Sequence, residues 1–181
     1  LKLKHILATT NFLIAVHEAC KTGEFSLEAW ETEREVRSQL TKETVRFVGP
    51  DGQKYRTPLP DLIITLGREG KRALCWVEID RATENVGLSP FERQSISGKA
   101  TEYFKWEQCE HYRREFGGRP LRVLFISTGN RRLHNMKKAT EQVISQMLDA
   151  QTDLSNNTRR TEFVRLGKRF RFITAEDVQP E

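Results

Sequence analysis

A chain of 181 residues with 30 basic and 25 acidic side chains, a net charge of +5 and 37% hydrophobic residues suits one domain with a core that needs no staples. No stretch approaches the roughly 18 apolar residues of a bilayer span, which sets aside an integral membrane protein. Cys20, Cys75 and Cys109 are odd in number and lack a CxxC pair, so they indicate neither a disulfide framework nor a zinc site and point to a reducing cytoplasm.

From the N-terminus, residues 5–20 place Ile6, Leu13, Val16 and Cys20 near one helical face, with Phe12, Ala15 and Ala19 beside it. Gly23 stops this helix, and Ser26 is placed to cap a second, "LEAWETEREVRSQL", that buries Leu27, Trp30 and Leu40. "TVRFVG" reads as a short strand and "PDGQKYRTP" as turn chemistry. "DLIITL" and "ALCWVEID" then form a hairpin around the basic loop "GREGKR". "NVGLSP" is a loop. A charged helix runs from about Phe91 to Phe116 and stops at Gly117 and Gly118. "LRVLFIST" is a continuous apolar run, the pattern of a strand covered on both faces. A helix over 133–150, a loop at "NNTRR" and a closing strand "RFRFIT" complete the chain. The order implies an α/β fold: a mixed central sheet with a three-strand meander, flanked by helices.

The acids of the hairpin carry the functional argument. Along "ALCWVEID", Trp76, Glu78 and Asp80 share one face, while Cys75, Val77 and Ile79 face the other way. Asp61 opens the preceding strand, and antiparallel pairing brings that start beside the end of its partner. Three carboxylates that close repel, and stay ionised together only around a cation. All-oxygen ligands of this kind suit Mg²⁺ or Mn²⁺. The plainer alternative is that the acids solvate the strand ends or pair with Arg68, Arg72 or Arg81.

"PD" at Pro60-Asp61 and an acid at Glu78, followed by Ile79, resemble the PD-(D/E)XK nuclease superfamily, as does the order helix, meander, helix, strand. Glu33 in "WETEREVR" fits the acid that this superfamily often carries on its first core helix, ahead of Glu31. "LKHILATTNFLIAV", "WETEREVR", "PDLIITL", "WVEIDRATE", "GKATEYFKW" and "RVLFISTGNRR", covering most of residues 3–132, also resemble the replication-relaxation family of plasmid and mobile-element proteins. Members of that family often carry a winged-helix DNA-binding segment before this region. With a start at Leu1, residues 1–181 are therefore expected to be one PD-(D/E)XK-like domain forming the C-terminal part of a longer protein.

The resemblance departs at one position. Asp80 stands where the superfamily has its lysine, and an aspartate can only add a ligand or a base. Lys99, on the next helix, is the substitute the resemblance implies; Tyr103 lies four residues on, on the same face, and Gln94 is near the helix start. An ordinary surface lysine is the alternative. The resemblance thus implies a metal held by Asp61, Glu78 and the Ile79 carbonyl. Asp80 and Glu33 would serve a second metal or its water, and Lys99 would steady developing charge.

His5, His17, His111 and His134 fit no metal spacing and read as ordinary helix histidines, and Trp30, Trp76 and Trp106 read as core anchors. The basic runs "GREGKR", "GNRR", "NNTRR" and "RLGKRFRF" would contact DNA phosphates if they gather on the acidic side, and are a solvated surface if scattered. Three functions follow as expectations. The first is a Mg²⁺- or Mn²⁺-dependent DNA-cleaving domain. The second is a non-catalytic module of the same fold, acting in plasmid replication or mobilisation through DNA or protein contacts. The third is an α/β scaffold that assembles with partners, including as a homodimer through the long charged helix.

Overall fold

A computed structural model describes residues 2–39, 46–80 and 95–178. The elements in chain order are α1 (Lys2–Cys20), β1 (Ser26–Thr32), α2 (Glu33–Gln39), β2 (Arg46–Val48), β3 (Lys54–Arg56), β4 (Leu62–Arg68), β5 (Lys71–Asp80), α3 (Ile96–Gln108), α4 (Glu110–Phe116), β6 (Val123–Ser127), α5 (Asn130–Asp149), α6 (Asn156–Gly167) and β7 (Phe170–Thr174). A 3-10 turn at Glu176–Val178 follows. Among the described residues, no helix is long and apolar enough to cross a membrane.

The fold is α/β, with a mixed five-stranded sheet in the order β1-β4-β5-β6-β7. β1, β4 and β5 form an antiparallel meander, and β5, β6 and β7 run parallel. Period-2 alternation along β5 splits the core in two. Trp76, with Ile63, Leu74, Val123, Phe125 and Phe170, packs under α3 and α5 through Ile96, Tyr103, Phe104, Met136 and Ile144. Val77, with Leu62, Ile64 and Ile126, packs under α1 through Phe12, Leu13 and Val16.

Several expectations are corrected. The helix foreseen over 27–40 is a strand, β1, followed by the short α2. The cause is local: Thr32 and Glu35 form a reciprocal capping box, the Thr32 N–H donating to Glu35 Oε2 (2.7 Å) and the Glu35 N–H to Thr32 Oγ1 (3.4 Å). That box fixes the helix start at Glu33 and frees 26–32 to pair with β4. Trp30 consequently lies on an edge strand, 54% exposed, instead of in the core. Leu40 lies outside the described residues.

"TVRFVG" contributes no strand to the meander. Its described part is β2, which pairs with β3 in a separate two-stranded ribbon. "NNTRR" is the first turn of α6, where Ser155 caps the helix by accepting from the Thr158 N–H at 3.2 Å. On α1 the apolar face is narrower than expected: Ile6 is exposed.

The hairpin β4–β5 stands, and it is tighter than a six-residue loop. Pairing continues to Arg68 and Lys71, leaving Glu69 (φ 49°) and Gly70 (φ 73°) as a two-residue turn. The long charged helix divides at Cys109, whose sulfur caps α4, and "LRVLFIST" forms the central parallel strand β6.

This topology gathers the carboxyl ends of β1, β5, β6 and β7 and the start of β4 at one end of the sheet. That is where parallel-stranded sheets leave a crevice for ligands.

Candidate metal and phosphate site

Asp61 sits at the entrance to β4, where the β4–β5 ladder ends. Its Oδ2 accepts the Ile79 N–H at 2.6 Å, so the carboxylate stands in for a strand partner. Its backbone is fixed on both sides: the Asp61 N–H donates to the Val77 carbonyl (3.0 Å), and the Asp61 carbonyl accepts the Glu33 N–H (3.1 Å). The second contact seats the first residue of α2 beside Asp61. The other Asp61 oxygen, Oδ1, lies 2.9 Å from His5 Nε2 on α1. One donor atom each from His5, Glu33 and Asp61 lie within 4.8 Å of one another. Burial pushes the Asp61 carboxyl up, Ile79, His5 and Lys99 oppose this, and the Glu33 charge adds to it.

Glu78 lies on the α3 side of β5, as strand alternation requires, and is buried at 3% exposure. Lys99 Nζ donates to its Oε2 at 2.7 Å, and the Tyr103 hydroxyl donates to Oε1. Lys99 and Tyr103 are one helical turn apart, so one face of α3 supplies both donors. Burial pushes the Glu78 carboxyl up; Lys99 counters this most strongly, while the Asp61 charge reinforces it. Next to them, Glu102 is pushed up to about 7, first by burial, with the Glu78 charge adding and Arg56 and Lys99 opposing.

Asp80 shares the Glu78 face but serves a different partner. Arg132 on α5 grips both its oxygens, Nε to Oδ2 at 2.7 Å and Nη2 to Oδ1 at 2.9 Å, and the Ser127 hydroxyl donates to Oδ2 at 3.2 Å. The pair ties α5 to the end of β5. Ile79 points its side chain to the α1 face of the sheet. Arg81 and Gln94 lie outside the described residues.

The structure thus brings Asp61, Glu33, Glu78 and Lys99 into one electrostatic neighbourhood and sets Asp80 into an arginine fork. His5 is the member that the sequence hid. It reads as an ordinary helix histidine because its neighbours Glu33 and Asp61 come from distant parts of the chain. The capping box at Thr32 and Glu35 was a readable signal for where Glu33 would sit. The donors would suit a divalent cation: two carboxylates from Asp61 and Glu33 and one imidazole, with Glu33 also paired to Arg37 and Glu78 to Lys99.

The basic runs divide. "GNRR" follows β6 and lies at the site end of the sheet, where Arg132 binds Asp80. "GREGKR" is the β4–β5 turn, and "RLGKRFRF" leads into β7 beside Val123 and Trp76; both mark the opposite end. At about 3.3 Å per strand residue, the hairpin tip is roughly 30 Å from Asp80.

The chain matches no protein-family model, no curated protein and no solved structure.

Proposed function

We propose that this site is a divalent-cation-dependent phosphodiester-cleaving centre acting on DNA, in a PD-(D/E)XK-like core of the kind the replication-relaxation resemblance implies. The observation that carries the reading is the convergence of Asp61, Glu33 and Glu78 with Lys99 at the carboxyl ends of the parallel strands. A restriction-endonuclease-like arrangement needs those groups at the end of a meander, followed by a helix that delivers a cation, and this sheet supports it. A bound Mg²⁺ or Mn²⁺ would supply Lewis-acid polarisation and a water acidified toward neutrality. Asp61 and Glu33 would hold the ion, with Glu78 beside it. Lys99 supplies a positive charge next to the acids, where phosphate oxygens would gain charge, in the role that residue 80 cannot fill. Tyr103 fixes the Glu78 carboxylate so that Lys99 has a defined position. Asp80, held by Arg132, serves as an anchor of the site end. The setting is a cytoplasmic DNA-processing protein of a plasmid or mobile element.

The test is nicking of supercoiled plasmid with Mg²⁺ or Mn²⁺. The wild type is expected to nick, and Asp61→Ala and Glu78→Gln to lose at least about a hundredfold in rate. Undiminished cleavage by Asp61→Ala would remove the assignment. A second reading is a non-catalytic module of the same fold that acts on replication or mobilisation partners. Asp80 in an arginine fork favours it, because the position of the superfamily lysine is then structural. DNA retention with no metal-dependent cleavage is its signature.

A further inference from the structure

We infer that His5 is a nitrogen ligand of the cation and that it makes the site prefer Mn²⁺ to Mg²⁺; this rests on the metal reading above. Three observations carry it. His5 Nε2 is 2.9 Å from Asp61 Oδ1, and the two share a donor cluster with Glu33. The ring's other nitrogen, Nδ1, is buried and has no hydrogen-bond partner among the described residues, so the contact with Asp61 is what orients the ring. α1 is no loose arm: Phe12, Leu13 and Val16 pack it onto the sheet about two to three turns beyond His5, which fixes where the ring can reach.

The chemistry of the set gives the preference. Mg²⁺ is small, dehydrates reluctantly and takes oxygen ligands, so carboxylates alone would serve it well. An imidazole adds a softer nitrogen donor, for which the small, tightly hydrated Mg²⁺ gives up its water less readily than Mn²⁺ does. Asp61 and Glu33 supply charge to either ion; His5 supplies the discrimination. The side chains of His5 and Asp61 are 24% and 15% exposed, which leaves an approach from solvent.

The experiment is pulsed electron paramagnetic resonance of Mn²⁺ bound to the protein, beside calorimetric titrations with Mn²⁺ and with Mg²⁺. Wild type is expected to show nitrogen coupling from one imidazole. His5→Gln is expected to lose that coupling and about tenfold in Mn²⁺ affinity, with Mg²⁺ affinity changed less than about twofold. His5→Asp, an all-oxygen set, is expected to narrow the Mn²⁺ preference further. Mn²⁺ that binds wild type and is lost in Asp61→Asn, yet shows no nitrogen coupling, would overturn the role of His5 and leave the carboxylate site standing. Equal weakening of both ions in His5→Gln would do the same. No Mn²⁺ binding by wild type at millimolar concentration would overturn both.

Discussion

Lys99 on α3 and Glu78 on β5 are joined across 2.7 Å at the edge of the core, with the glutamate side chain 4% exposed and the lysine 25%. A buried carboxylate with its countercharge removed must neutralise or destabilise the fold. Lys99→Met is therefore expected to lower stability by roughly 2–4 kcal/mol, read by urea denaturation at neutral pH. Adding Glu78→Gln to it should recover part of the loss, because the amide keeps a hydrogen bond to Tyr103 without a charge. A Lys99→Met protein as stable as wild type would show that the pair contributes nothing.

Asp80 and Arg132 make the contrasting case. Their two-pronged contact is buried at the aspartate and lies between β5 and α5. Asp80→Asn is expected to cost roughly 2–4 kcal/mol of stability while leaving Mn²⁺ affinity within about twofold of wild type. Denaturation and metal titration of the same sample check both halves.

Glu102 gives a pH dependence of defined sign. Its carboxyl is raised from the ordinary 4.5 to about 7 in the folded chain, chiefly by burial. Between those values the folded state binds more protons than the unfolded one, so stability falls as pH rises. Its contribution is complete below about pH 4.5 and is lost as pH passes through about 7. Urea midpoints from pH 4.5 to 7.5 should show this slope, and Glu102→Gln should flatten it.

The tryptophans should behave oppositely. Trp30→Ser, on the exposed edge strand, is expected to change stability by less than about 0.5 kcal/mol. Trp76→Ala, at 2% exposure under α3, is expected to cost roughly 3–5 kcal/mol. Thermal or urea denaturation separates them.

Gly70 isolates a backbone effect. An added Cβ there would meet nothing within 4 Å, yet φ is +73°. Gly70→Ala should thus cost about 1 kcal/mol through conformation alone, again measured by denaturation.

Periodicity made the hairpin, the parallel strand β6 and the alternation of Trp76, Glu78 and Asp80 legible, because each depends on side chains near in sequence. β1 was not legible: "LEAWET" is built of good helix formers, and long-range pairing with β4 overrides that preference. The same limit governs the site. Asp61 and Glu78 could be placed from strand alternation and Lys99 from the resemblance, whereas His5 and Arg132 reach it only through the packing of α1 and α5.

Because Asp61 Oδ2 takes the Ile79 amide proton at 2.6 Å, the carboxylate answers to the backbone of β5 as well as to whatever approaches it from outside. An ion bound there would draw on the same electron density as that amide, so its binding would register as a chemical-shift change and altered proton exchange at Ile79. On the proposed metal reading, the Ile79 amide would serve as an intrinsic spectroscopic gauge of loading.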